Sequence, residues 1–156
     1  MIKKIEDNDI YEAITLMNKA VTEGRHDAYE RNEYVWIQAF LALVEEQRKG
    51  NPLVLLIGDY DNNNKLRGFL SASAFTNYYD GAYVMDVKDC IVDHDYTNNA
   101  FVVYRLFDAM VEHIKTHGGK YWRADSIRSE KEALDYGRFL QHRYKAKLHV
   151  SVRGEV

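Results

Sequence analysis

One cysteine and one proline among 156 residues exclude two devices that organise many small proteins. A lone Cys90 closes no internal disulfide and leaves no cysteine-based metal site, which fits a reducing compartment. No apolar run approaches the roughly 18 residues that a membrane-spanning helix needs, and the opening MIKKIEDNDIYEAI lacks the apolar core of a secretory signal. A cytoplasmic location with no membrane partner is expected. Low-complexity tracts, internal repeats and linkers are also missing, so the chain length predicts a single domain over residues 1–156.

What is present is a globular composition, 46% hydrophobic and 29% charged, enriched in Tyr and Asn. The net charge of −3 weighs against wholesale nucleic-acid binding, but the charge is unevenly spread. Residues 119–156 hold 9 Lys/Arg against 5 Asp/Glu, whereas residues 1–118 hold 12 against 19. The basic end is either an ordinary solvated face or a surface for an acidic ligand.

Hydrophobic spacing gives an ordered series of elements. MIKKI reads as a short strand, and Asp7 or Asn8 offers an N-cap to a helix carrying Ile10, Ala13, Ile14, Met17 and Val21 at helical spacing. A second helix, from about Tyr34 to Arg48, has a wide apolar surface that predicts burial on two sides, or else a pocket wall or dimer contact. LVLLIGDY, LRGFLSASAFTNYY and AYVMDVKDCIV then read as a meander of three strands, turning at DNNNK and at Asp80 and Gly81. The period returns to helical from Ala100 to His117, with Val103, Leu106, Phe107, Met110 and Ile114 on one face, and Gly118 and Gly119 stop it. KYWRADSI is a further strand, SEKEALDYGRFLQH a fourth helix capped near Ser129, and YKAKLHVSV a last strand with alternating apolar and basic residues. The predicted order is β-α-α-β-β-β-α-β-α-β, an α/β domain with a mixed, mostly antiparallel sheet flanked by four helices.

That order resembles the GNAT superfamily of N-acetyltransferases over nearly the whole chain. IKKIEDNDIYEAITLMNKAV is similar to the family's opening strand and helix, LVLLIGDYDNNNKLRGFLSAS to its hairpin, and CIVDHDY to the V-x-P-x-Y that ends its central strand. Small chains that depart from the family pattern as this one does are similar to phage-encoded GNAT-like proteins, some of them carried in virions.

The resemblance implies acetyl-CoA as cosubstrate, held where R/Q-G-x-G-x-G/A loops present backbone amides to pyrophosphate at a helix N-terminus. Here Val92 ends the strand, Thr97 stands at the Arg/Gln, and Asn98, Ala100 and Val102 stand at the three small positions. The amides of Asn98, Asn99, Ala100, Phe101 and Val102 would form the cradle. Asn tolerates left-handed backbone, so the turn can persist, whereas Val102 is expected to bring a branched side chain to the point of close approach, and no basic side chain in the loop replaces the Arg. The competing reading of Thr97, Asn98 and Asn99 is a plain helix cap.

The family's acid, a Tyr on the fourth helix, is absent or displaced by one residue onto Tyr136, whose alternative place is the core. Its base, a carboxylate on the central strand, corresponds to Asp86, six residues before Val92 and on a strand face with Lys88, while Asp89 is expected on the other face. An exposed strand carboxylate paired with a neighbour is the alternative for Asp86. The resemblance thus implies an acyl-CoA-dependent N-acyltransferase acting on an amine-bearing small molecule or protein. The competing function is a catalytically inactive binding or assembly module, virion-associated if phage-encoded.

Other candidates are weaker. His113 and His117 have i,i+4 spacing but no HExxH and no assignable third ligand, and Cys90 reads as a buried inert thiol. Phe75, Tyr78, Tyr79 and Tyr83 gather at a hairpin, as a substrate entrance or as cross-strand packing. A single last strand predicts an edge covered by a partner chain or a second copy, or protected by its charges.

Overall fold

In the computed structural model, which describes residues 1–25, 32–124 and 130–147, the expected elements from the first strand to the fourth helix all form. Strand β1 (Ile2–Lys4) leads through a short 3₁₀ turn into α1 (Ile10–Thr22), which buries Ile10, Ala13, Ile14, Met17 and Ala20 along one stripe. Helix α2 (Glu33–Arg48) follows, then β2 (Val54–Tyr60), β3 (Leu66–Thr76) and β4 (Tyr83–Val92). Helix α3 (Asn99–Thr116), β5 (Tyr121–Ala124) and α4 (Glu130–Tyr144) complete the described chain. Ser129 and residues 148–152 of the expected last strand lie outside the described residues, and Tyr144, expected to open that strand, closes α4 instead.

The strands form one sheet in the order β1-β2-β3-β4-β5, antiparallel throughout except for the parallel pair β4 and β5. Helix α3 is the connection that a parallel pair requires. Two cores result. Leu70, Ala72, Met85, Val87, Cys90 and Val92 pack on one face with α3 and α4, and Leu56, Tyr60, Phe69 and Ile91 pack on the other with α1 and α2.

Helix α2 corrects the expectation of two-sided burial. It buries only Phe40, Val44 and Gln47, and leaves Tyr34, Val35 and Leu41 exposed. The apolar surface is wide, but only one side of the helix meets the sheet and α1. Gln47 is buried because its Oε1 accepts the Leu56 amide at 2.7 Å.

The spacing between α3 and the sheet depends on Gly68 in β3. A Cβ built there would stand 2.8 Å from the Ile91 carbonyl, 2.9 Å from Val92 Cγ1 and 3.0 Å from Val102 Cγ1. Gly68→Ala therefore forces the first turn of α3 away from the end of β4. The expected cost is about 1–3 kcal/mol in a urea denaturation midpoint.

Candidate active site

The segment from Asp93 to Asn98 leaves β4 and enters α3 held by side chains from three elements. Lys19 of α1 donates to Asp93 Oδ1 and to Asp95 Oδ2, both at 2.6 Å, and the Asp93 amide donates to the Arg67 carbonyl at 2.8 Å. Tyr96 Oη donates to Asp61 Oδ2 at 3.3 Å, which ties the segment to the β2–β3 turn. Arg25, just beyond α1, donates to the Val92 carbonyl at 3.2 Å. A cation does stand beside the turn, supplied by the chain after α1 rather than by the loop itself.

Asp93, one of the two carboxylates that Lys19 clamps, gives the segment a pH dependence. Hydrogen bonds raise the Lys19 ammonium to about 12. Burial alone would raise the Asp93 carboxyl, but the Lys19 hydrogen bond, an amide bond and nearby cations outweigh it and hold it below the ordinary carboxylate range. Folded Asp93 thus takes up a proton less readily than unfolded Asp93. The stability it contributes is present above about pH 4 and is lost as the pH falls through the folded value. Lys19→Met leaves Asp93, 6% exposed, without its ammonium, an expected loss of about 1–3 kcal/mol at pH 7. Urea midpoints measured between pH 7 and pH 3 should converge for the variant and the parent protein.

Asn98 is the pivot of the turn. Its φ of 72° and ψ of 36° lie in the left-handed region, which Asn enters at lower cost than most residues, and this reverses the chain into α3. Its side chain makes no capping bond to the first turn of α3, whereas Asn32, at the start of α2, accepts the Val35 amide at 3.2 Å. Asn98 is therefore a backbone pivot, not a side-chain cap. The Phe101 amide is spent on the Asn98 carbonyl at 2.9 Å, so Asn99 and Ala100 supply the amides that face outward from the first turn.

Val102 does not obstruct that turn. It is 2% exposed and packs into the sheet-facing core beside Gly68, because the fourth residue of a helix lies on the side opposite its second. Exposed Ala100 faces solvent, and the Phe101 ring stands out with the Arg105 guanidinium 5.7 Å above it. Val92 is buried against the α3 face, with only its carbonyl turned toward Arg25.

Asp86 lies in mid-β4, buried, with two cations on its carboxylate. Arg123 of β5 binds it through Nε at 2.8 Å and a terminal nitrogen at 3.1 Å, and the Lys88 ammonium bonds its Oδ2. Burial alone would raise this carboxyl, yet the hydrogen bonds and charges of Arg123 and Lys88 prevail and hold it below the ordinary range. A carboxylate so held is a weak proton acceptor. It is paired as one reading expected, but it is 3% exposed, not a surface group.

The face assignment of Asp89 needs correction. Asp86 pairs with Ser73, Val87 with Ala72 and Asp89 with Ser71, so one residue, Lys88, is extra in β4. The bulge returns Asp89 to the face that Asp86 occupies, where Ser71 Oγ donates to it at 2.6 Å. The sequence carries a signal for this. Apolar residues facing α3 stand at 85, 87, 90 and 92, and the single step of three among steps of two is the bulge.

Tyr136 is half-buried on α4, its ring edge-on to Phe107 at 6.2 Å. It belongs to the α3 side of the sheet and Asp86 to the α1 side, so the structure does not bring the two onto one face. Among the described residues the pairing of β4 with β5 ends at Val87 with Ala124.

The two histidines are held by backbone carbonyls. His113 Nε2 donates to the Pro52 carbonyl at 2.8 Å and His117 Nδ1 to the His113 carbonyl at 2.8 Å. Cys90 is buried. Of the aromatic hairpin, Tyr83 Oη donates to the Ile114 carbonyl at 3.0 Å, while Tyr78 and Tyr79 are almost fully exposed. A cleft of about 760 Å³ lies by the far end of β4, between β5 and α4, and neither the turn nor Asp86 lines it.

No protein-family model matches the chain, and no curated protein matches it in sequence. Solved structures do match. Glucosamine-6-phosphate N-acetyltransferase of Arabidopsis thaliana superposes with a TM-score of 0.70 at 13% identity over 99% of this chain and 97% of its own. Ribosomal-protein-alanine N-acetyltransferase of Brucella melitensis gives 0.69 at 15% over 100% and 99%. An aminoglycoside acetyltransferase from an uncultured soil sample gives 0.69 at 18% over 100% and 95%. Likeness over whole chains at such low identity is a statement about architecture: the protein has the fold of the GNAT N-acetyltransferases.

Proposed function

We propose that the protein is an acyl-CoA-dependent N-acyltransferase, with acetyl-CoA as cosubstrate and an amine as acceptor. The observation that carries this reading is the left-handed Asn98 ahead of an α3 N-terminus that its side chain does not cap, at the end of β4. The amides of Asn99 and Ala100 and the positive end of α3 would hold the pyrophosphate, with Ala100 small enough to let it approach. The cradle is weak. Its neighbours include the carboxylates of Asp93 and Asp95, and Arg25 is shared with Glu23.

In the reaction the amine nitrogen attacks the acyl carbonyl carbon, the C–S bond breaks, and one proton passes from the amine to a base while the thiolate takes one up. We assign the proton acceptor to Asp89, on the same face as Asp86 and hydrogen-bonded by Ser71. Asp86 acts there mainly by holding Arg123 and Lys88. Tyr136 is the candidate proton donor to the thiolate. The second reading, an inactive binding or assembly module, is favoured by Asp86 carrying two cations and by the Tyr136 ring packing on Phe107.

Calorimetric titration with acetyl-CoA separates the two. Micromolar binding that Asn98→Glu abolishes supports the transferase, and a screen of amines for thiol release follows. Absence of binding at millimolar ligand removes the transferase reading and leaves the module.

A further inference from the structure

The last turn of α3 carries a pair of candidate ligands that the acyl-transfer reading does not use. We infer that His113 and His117 form a binding site for a divalent transition ion of the Zn²⁺, Ni²⁺ or Cu²⁺ class, held by one ring nitrogen of each. The inference is independent of the acyl-transfer reading.

Helical spacing brings the rings together. Residues four apart lie on one face of a helix, and these two ring centres are 4.3 Å apart with their planes inclined at 39°. Two metal–nitrogen bonds of about 2.0–2.1 Å span at most about 4 Å between the donor atoms. One ion can therefore bridge rings at this separation without a change in the backbone.

Each ring already has the second hydrogen bond that orients a metal-bound imidazole. His113 Nε2 donates to the Pro52 carbonyl and His117 Nδ1 to the His113 carbonyl, both at 2.8 Å. The nitrogen that donates carries the proton, which leaves the lone pair on Nδ1 of His113 and on Nε2 of His117. Among the described residues neither of these nitrogens has a hydrogen-bond partner. His113 Nδ1 is not closed off from solvent, and His117 is exposed. Burial, and then the charges of His117 and Lys4, hold the His113 imidazole below its ordinary range against the pull of the Pro52 carbonyl. Its lone pair is thus present at neutral pH.

The surroundings and the donor type set the class of ion. His117 directly follows the last residue of α3, where carbonyls without helical partners give the helix end a negative potential that favours a cation. The Lys4 ammonium, which also acts on His113, offsets part of that attraction. Imidazole suits Zn²⁺, Ni²⁺ and Cu²⁺, whereas Mg²⁺ and Ca²⁺ require oxygen. Among the described residues no third His, Cys, Asp or Glu joins the pair. The site is therefore an open two-point chelate, with positions left for water or an added ligand, and not a closed structural centre.

The test reads the metal directly. Cu²⁺ added in small amounts should broaden the ring-proton NMR signals of His113 and His117 before those of the other histidines, because a paramagnetic ion acts over a short range. Zn²⁺ at about 1 mM should raise the thermal midpoint by about 3–10 °C, and Mg²⁺ at the same concentration should not. His117→Gln removes one ligand from an exposed position, and His113→Gln removes the other while leaving an amide that can donate to the Pro52 carbonyl. Each should weaken Zn²⁺ binding about tenfold or more in a calorimetric titration, with melts in the absence of metal confirming that the variants fold. If Cu²⁺ reaches other histidines first, if Zn²⁺ leaves the midpoint of the parent protein unmoved, or if both variants bind Zn²⁺ as the parent does, the inference is overturned.

Discussion

Ala100→Glu is expected to move fold stability and cosubstrate binding in opposite directions. Ala100 is the second residue of α3, exposed to solvent, on the turn that Asn98 creates. A carboxylate at that position meets the positive end of the helix and the amides of the first turn. It should stabilise the fold by about 0.3–1 kcal/mol, seen as a small rise in the thermal midpoint. The same charge occupies the space proposed for pyrophosphate. At about 5 Å, with an effective dielectric constant of about 20, repulsion between two unit charges amounts to about 3 kcal/mol, so acetyl-CoA affinity should fall about a hundredfold or more.

The opposed signs make the result informative. A variant that lost binding because it unfolded would show a lower midpoint, whereas one that lost binding because the anion site is filled shows a higher one. Asn98→Gly is the complementary change, since glycine adopts the left-handed pivot without strain and opens the turn further. It should keep or strengthen binding. If Ala100→Glu leaves acetyl-CoA affinity intact, the first turn of α3 is not the pyrophosphate site.

Much of the fold could be read from residue spacing, because hydrophobic period is a local property. Met17 and Val21 on a helical stripe, or Leu70 and Ala72 alternating in a strand, announce their element without knowledge of any partner. What escaped depends on pairing or on residues distant in sequence. Strand alternation alone puts Asp89 on the wrong face because a bulge belongs to two strands, although the three-residue step from Val87 to Cys90 is visible in one of them. The place of Val102 in a motif puts it at the phosphate turn, but a motif does not show the direction in which α3 leaves β4, which carries Val102 into the core. The wide apolar surface of α2 overstated its burial, since the composition of a helix does not reveal how many neighbours it has.

The cations around the site were the least legible. Arg25 comes to Val92 across 67 positions of sequence, and Lys19 comes to Asp93 across 74. A loop that lacks its own Arg is therefore not without positive charge nearby. The sequence shows which charges exist, and the folded chain decides which of them meet.

Asp59 is the extreme case of such convergence, and its replacement should give the largest loss of stability. It lies on β2 with no exposed surface, and three cations surround it: the Met1 amino group at 3.1 Å, Arg67 at 2.9 Å and Arg105 at 3.1 Å. Arg105 is on α3, one turn beyond Phe101, so Asp59 ties the helix of the proposed anion site to the sheet. Asp59→Asn keeps the shape and removes the charge, leaving Arg67 and Arg105 facing each other across a neutral amide. Removing one partner of a buried pair costs about 3–5 kcal/mol, and the lower end applies because the two arginine side chains are 22% and 27% exposed and recover some hydration. At roughly 2–4 °C per kcal/mol for a chain of this size, the thermal midpoint should fall by about 6–12 °C. A fall below about 2 °C would mean that water already satisfies the arginines and that α3 is positioned by packing against Gly68 alone. With the larger fall, Gly68→Ala and Asp59→Asn would act on the same helix from two sides, and a double-mutant cycle should show their effects to be non-additive.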